Sequence, residues 1–231
     1  MRLLPVPAPR RRPLPSLRYA HSRGPRAYAP AVTSTVVFCD VRGYTALAEE
    51  SPAPVVAAFV SRTLSVMARI VAAHEGRITA FTGDGVMAVF AGPGAEGGHE
   101  ARALAAAVAM VSTLDGGDGG DGGYNASVGI GVATGPVAGT VVRWGPREER
   151  TVVGDAANVA QRLECQAGPG EVLVAGSTIP GAEGMQAERL GERLLRGRRA
   201  PVDVYRIVRT GSVTEGIPDG HRSRVVVAPL P

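Results

Sequence analysis

Not one of the 231 residues is lysine; all 25 basic side chains are arginine. A contact that calls for a compact ammonium donor has none to draw on in this chain, and anions must be met by planar guanidinium forks. Cysteine is scarce as well. Cys39, inside an apolar run, and Cys165, near a predicted helix end, make neither a disulfide framework nor a metal-ligand cluster, which suits a reducing compartment and predicts a cytoplasmic location. Long apolar runs are also missing. The longest candidate, Ala101 to Val111, falls short of the roughly 20 residues a bilayer needs and carries Arg102, so no membrane span is expected. Pro5, Pro7 and Pro9 interrupt what would have to be the apolar segment of a secretory signal. No acidic residue precedes Asp40, whereas seven arginines precede Val32, so the formal net charge of +4 divides into a strongly basic arm and a body with 18 arginines against 21 acidic residues. A Pro/Arg-rich arm of this kind reads as solvated and disordered. The body is net acidic and has no helix with clustered basic residues, so nucleic acid is not expected as a partner.

The apolar residues that are present, 45% of the chain, suffice for one core and fall at regular spacings. Thr35 to Val41 is β-branched and apolar, which predicts a buried strand. From about Pro54 to His74, apolar residues recur at helical spacing (Val55, Val56, Phe59, Val60, Leu64, Met67). Arg77 to Thr82 and Val86 to Phe90 are strand-like runs around Gly83-Asp84-Gly85, a hairpin signal that puts Asp84 at the tip. His99 to Leu114 reads as an alanine-rich helix. Ser127 to Ala133 and Val137 to Arg143 read as two strands, Thr151 to Val153 as a short one, and Ala156 to Gln166 as a helix capped by Asp155. Glu171 to Val174 and Val202 to Val208 close the series as strands. The order β-α-β-β-α-β with appended elements predicts an α+β fold of the ferredoxin-like kind. A disordered arm over residues 1–30, one domain over 31–210 and a tail over 211–231 complete the expectation.

Two motif-like stretches are set aside. Asp115 to Gly123 repeats Asp-Gly-Gly but lacks the bidentate glutamate of a calcium loop, so a flexible connector is expected. Gly129-Ile130-Gly131 followed by Gly135 misses the dinucleotide-binding spacing, and no helix follows it directly.

Three segments carry chemistry. Asp40 ends the first strand in Phe38-Cys39-Asp40-Val41-Arg42-Gly43-Tyr44-Thr45, and Asp84 sits at the hairpin tip in Thr82-Gly83-Asp84-Gly85-Val86-Met87. In a ferredoxin-like sheet the first strand lies beside the hairpin, so both carboxylates face one site, where they repel unless a cation sits between them. Hard oxygen ligands suit Mg²⁺ or Mn²⁺, and two such ions serve in activating a hydroxyl and neutralising a leaving phosphate. The third segment is Gly154-Asp155-Ala156-Ala157-Asn158-Val159-Ala160-Gln161-Arg162, in which Asn158 and Arg162 share a helix face. An amide and a guanidinium fork together match an oxygen-rich, anionic transition state.

In this order and spacing the segments resemble the class III adenylyl/guanylyl cyclases, over about Val36 to Val208. The resemblance extends through Pro169-Gly170-Glu171-Val172-Leu173-Val174 and the closing Leu195-Arg196-Gly197-Arg198-Arg199-Ala200-Pro201-Val202-Asp203-Val204-Tyr205. It implies a cyclase homology domain acting as a homodimer with active sites at the interface. Asp40 and Asp84 of one protomer would hold two Mg²⁺ or Mn²⁺ ions. Asn158 and Arg162 of the other would orient the ribose and stabilise the reacting α-phosphate. Gly43, Tyr44, Thr45 and Gly83 would contact the substrate, ATP or GTP, which closes to a 3′,5′-cyclic nucleotide with loss of pyrophosphate. Base reading falls to Ala80, where the family usually carries lysine, and to Thr151, which is compatible with a bacterial adenylyl cyclase subgroup. The lost lysine leaves a second reading: a weak or inactive cyclase-fold module that binds nucleotide and regulates.

Overall fold

The computed structural model describes residues 30–94, 97–115, 126–144, 146–208 and 224–226. The arginine-rich arm, nearly all of the Asp-Gly-Gly repeat and most of the tail lie outside these residues. The elements run β1 (Val32–Val41), α1 (Tyr44–Glu50), α2 (Ala53–Ala73), β2 (Arg77–Phe81), β3 (Val86–Ala91), α3 (His99–Asp115), β4 (Val128–Trp144), β5 (Arg147–Val153) and α4 (Asp155–Glu164). They continue with β6 (Val172–Ala175), a 3-10 turn (Gly176–Gly181), β7 (Gln186–Arg193), β8 (Val202–Val208) and β9 (Arg224–Val226). The strands form a nine-stranded sheet ordered β2-β3-β1-β4-β6-β8-β7-β9, with β5 paired to the far end of β4. The fold is α+β, as the order of elements predicts.

Alternation along β1 builds a core on each face of the sheet. Val37, Cys39 and Val41 join Met67, Val71, Leu104 and Met110 under α2 and α3. Val36 and Phe38 join Val159, Ala160 and Leu163 under α4. The even-numbered positions of β1 therefore point to the α4 side, and Asp40 shares that parity. Contact there is close, because an added Cβ at Gly131 on β4 would lie 2.0 Å from the Ala160 carbonyl oxygen and 2.2 Å from the Glu164 amide nitrogen. Only a residue without a side chain lets α4 sit this low on the sheet.

Several expectations are corrected. The two strands predicted over 127–143 are a single 17-residue strand, β4, because β1 pairs with it without a break from Val128 to Val137 and β5 takes over from Ala138. Pairing on both flanks overrides the break suggested by Gly135 and Pro136. Asp155 does not cap α4: the N-cap is Gly154, with no side-chain cap bond, and Asp155 in the first turn pairs with Arg198. A carboxylate there still favours the positive helix end. The membrane expectation missed α2, which is long and apolar enough to cross a bilayer despite Arg62 and Arg69. Its face of Val56, Phe59, Thr63, Met67 and Val71 is nevertheless buried in the domain. Helix α1, the 3-10 turn, β7 and β9 lacked a periodic signal of sufficient length.

Candidate active site

Gly43 and Gly83 make the site's backbone geometry. Each has a positive φ, 79° at the N-cap of α1 and 86° in the β2–β3 turn, a region that costs other residues steric strain. These turns bring the carboxylates together. Cys39 on β1 pairs with Val86 on β3, so Asp40 lies level with the hairpin tip, and its Oδ1 would sit 2.5 Å from a Cβ added at Gly85. The backbone N–H of Val41 acts on both Asp40 and Asp84.

The electrostatics are those of a crowded acidic pair. The Asp40 carboxyl is pushed up to about 6, first by desolvation, then by the charges of Asp84 and Glu164, with Arg42 opposing. Asp84 is also raised, chiefly by burial. Oxygen donors that disfavour their own ionisation fit a hard divalent cation, which relieves the repulsion. Among the described residues no cluster of three or more His, Cys, Asp or Glu side chains is placed to hold a metal. A divalent cation at the Asp40/Asp84 pair would find two carboxylates and would complete its shell with water and substrate oxygens, as Mg²⁺ commonly does.

Tyr44 and Thr45 open α1 directly after Gly43, and Ala80, Thr151 and the Asn158/Arg162 pair lie on β2, β5 and α4. Ala80 on β2 faces Met87 and is half-buried against the α4-side core. Thr151 on β5 pairs with Thr140, and β2 and β5 touch, so the two base-reading positions belong to neighbouring strands of one protomer. Asn158 is exposed and Arg162 half-exposed on the side of α4 away from the sheet, whereas Ala156, Ala157, Ala160, Leu163 and Glu164 point inward. The principal charges acting on Asp40 are Asp84, Glu164 and Arg42; Arg162 is not one of them. A cleft of about 590 Å³ opens at the far end of β1, lined by Thr134, Asp155, Ser177, Arg198 and Tyr205 among others, and none of the expected site residues lines it.

Two residues at the site escaped the sequence reading. Arg42 Nη1 stands 3.7 Å from Asp40 Oδ2, and its Nη2 bonds Glu164 Oε1 at 2.6 Å while also donating to the Glu164 carbonyl oxygen. Arg42 lies inside the first motif, but its partner is 122 positions away at the end of α4, and no local spacing signals such a pair.

Residues 28–209 match the family model for the adenylate and guanylate cyclase catalytic domain. The chain belongs to that family. The cyclase domain is 35% identical over 173 residues to an uncharacterized protein of Mycobacterium tuberculosis, covering 72% of this chain and 30% of the relative. It is 35% identical over 137 residues to an adenylate cyclase of Anabaena cylindrica, covering 56% and 26%. The chain thus spans about 30% of the length of the curated relatives it matches. Among solved structures, the adenylyl cyclase CyaB from P. aeruginosa superposes with a TM-score of 0.71 at 25% identity, over 80% of this chain and 97% of that one. The sheet order and the Asp40/Asp84 placement described for this cyclase domain are thus features of a chain with adenylate cyclase relatives.

Proposed function

We propose that this domain converts ATP to 3′,5′-cyclic AMP and pyrophosphate as a homodimer, in intracellular signal transduction. The observation that carries the reading is the juxtaposition of Asp40 and Asp84, two half-buried carboxylates that share one backbone donor, with the charge of Asp84 and burial both raising the cost of ionising Asp40. Bound Mg²⁺ or Mn²⁺ would supply charge neutralisation at the triphosphate and activation of the ribose 3′-hydroxyl. Asp40 and Asp84 would hold these cations. Gly43, Tyr44, Thr45 and Gly83 let the phosphates approach the backbone beside them. Asn158 orients the ribose and Arg162 stabilises charge on the α-phosphate as the O3′–P bond forms and the bond to pyrophosphate breaks. Both project from the outer face of α4, where a partner protomer's substrate can reach them. Positioning and electrostatics supply most of the acceleration in such a transfer.

Purified protein incubated with ATP or GTP should form cyclic product only when Mg²⁺ or Mn²⁺ is present. Asp40→Asn and Asp84→Asn should each lower turnover by about two orders of magnitude or more, with circular dichroism unchanged. Undiminished turnover in either variant would remove the metal assignment. Ala80 favours a second reading in which base recognition is relaxed, or the module is catalytically weak and regulates by binding nucleotide. Its methyl group sits in the position assigned to base reading and offers no donor.

A further inference from the structure

The Arg42 guanidinium has two acidic neighbours and is committed to one of them. Its contact to Asp40 is 3.7 Å, beyond hydrogen-bond distance, while it reaches Glu164 through the side-chain oxygen at 2.6 Å and the main-chain carbonyl as well. The seat is specific, because a Cβ added at Gly129 would lie within 2.5 Å of three guanidinium atoms. Glu164 is nearly buried, with its side chain 9% exposed, and it ends the same helix that carries Asn158 and Arg162. The Glu164 carbonyl already accepts from the Ala167 backbone N–H, so the guanidinium adds a second donor to it, and a cation there suits the negative end of the helix.

We infer that Arg42 is a positioning residue that couples the two half-sites of one protomer: held by Glu164, it leaves the oxygens of Asp40 open to a divalent cation and ties that carboxylate to helix α4. The inference rests on the proposed metal site. Without Glu164 the guanidinium is released to close on Asp40 and compete with the metal for it. When a divalent cation takes Asp40, Arg42 loses that attraction and its hold on Glu164 tightens. Because α4 serves the neighbouring active site in the proposed dimer, the metal state of one site reaches the helix of the other through one ion pair.

The test is Mn²⁺ binding to the full chain without nucleotide, read from the electron paramagnetic resonance signal of free Mn²⁺. Asp84→Asn should abolish the site. Glu164→Gln should weaken binding by about tenfold, the scale of one charge-assisted contact, and this loss should vanish in an Arg42→Gln background. Equal weakening by Glu164→Gln with and without Arg42, in a site that Asp84→Asn still abolishes, would overturn the coupling and leave the metal site standing. Binding that survives Asp84→Asn would overturn the metal site and the coupling with it. Should Arg42→Gln fail to fold, Arg42→Met serves in its place, because it removes the competing charge and keeps a long side chain. Hydrogen exchange gives a second measure. Mn²⁺ should slow exchange of amides in the last turn of α4 in the native chain and not in Glu164→Gln, and exchange there that ignores Mn²⁺ would overturn the link to α4.

Discussion

Ala80 shows how much a single position decides. It faces Met87 and half-buries a methyl group in the α4-side core, so the position can neither donate to a purine nor carry charge. Thr151, on the neighbouring strand, offers a hydroxyl that donates or accepts and so tolerates more than one base edge. A site that lacks one charged donor loses about 1–3 kcal/mol of base recognition. The wild type should therefore separate ATP from GTP poorly or turn over slowly, and Ala80→Lys should raise kcat/KM for ATP by about tenfold. Steady-state assays with both nucleotides decide it. A native preference for ATP of about three orders of magnitude or more would mean that the base is read elsewhere.

Helices and strands are joined by polar ties that can be tested in the same way. His99, the first residue of α3, bonds Thr35 of β1 through Nδ1 at 2.9 Å, and Thr35 bonds Thr134 of β4 at 2.8 Å, so one chain of contacts fixes three elements. Burial lowers the His99 pKa; Glu100 pulls it back up and Arg102 pushes it further down. The folded state then binds a proton less readily than the unfolded chain. The stability from this residue is present above the ordinary histidine value near 6.5 and is lost as pH falls through it. Asp40, raised to about 6, contributes with the opposite sign, since its protonation favours the folded, metal-free chain. The comparison that isolates His99 is between the native chain and His99→Gln, in which Asp40 is common to both. Between about pH 7.5 and 5 the native melting temperature should fall more steeply than that of the variant. Parallel curves would show that His99 titrates as it does in water.

At the scale of the whole molecule, one protomer presents its acidic pair at the β1 and β2–β3 ends and its Asn158/Arg162 face on the outside of α4. A two-fold dimer makes two complementary sites from such halves, each with metals from one chain and an arginine from the other. Asp40→Asn and Arg162→Ala proteins should each be nearly inactive alone. Mixed, they form dimers in which both lesions fall in one site and leave the other intact. Random exchange makes about half the dimers mixed, each with one good site of two, so about a quarter of native activity should return. Exposed Phe81, Val142 and Val153, on β2, β4 and β5, offer apolar surface for such a contact. No recovery, with exchange demonstrated by native mass spectrometry, would place the whole site within one chain.

By itself the sequence determined whatever depends on near neighbours. A β-branched, apolar run set the core strand β1, helical spacing set α2, an alanine-rich run set α3, and a Gly-Asp-Gly between two strand-like runs set the hairpin, all within a few residues of the structural bounds. Asp40 and Asp84 were legible because each ends a regular element at a glycine turn. The tertiary structure alone decided what rests on distant pairing. β4 is continuous because β1 and β5 supply partners across the Gly135-Pro136 step. Asp155 turns from its own helix end to Arg198, 43 positions away. Arg42 chooses Glu164 over its near neighbour Asp40 because α4, seated low over Gly131, brings a buried carboxylate and a main-chain carbonyl to the same guanidinium. A charge takes the partner that offers the most hydrogen bonds in the driest place, and only the folded chain sets which one that is.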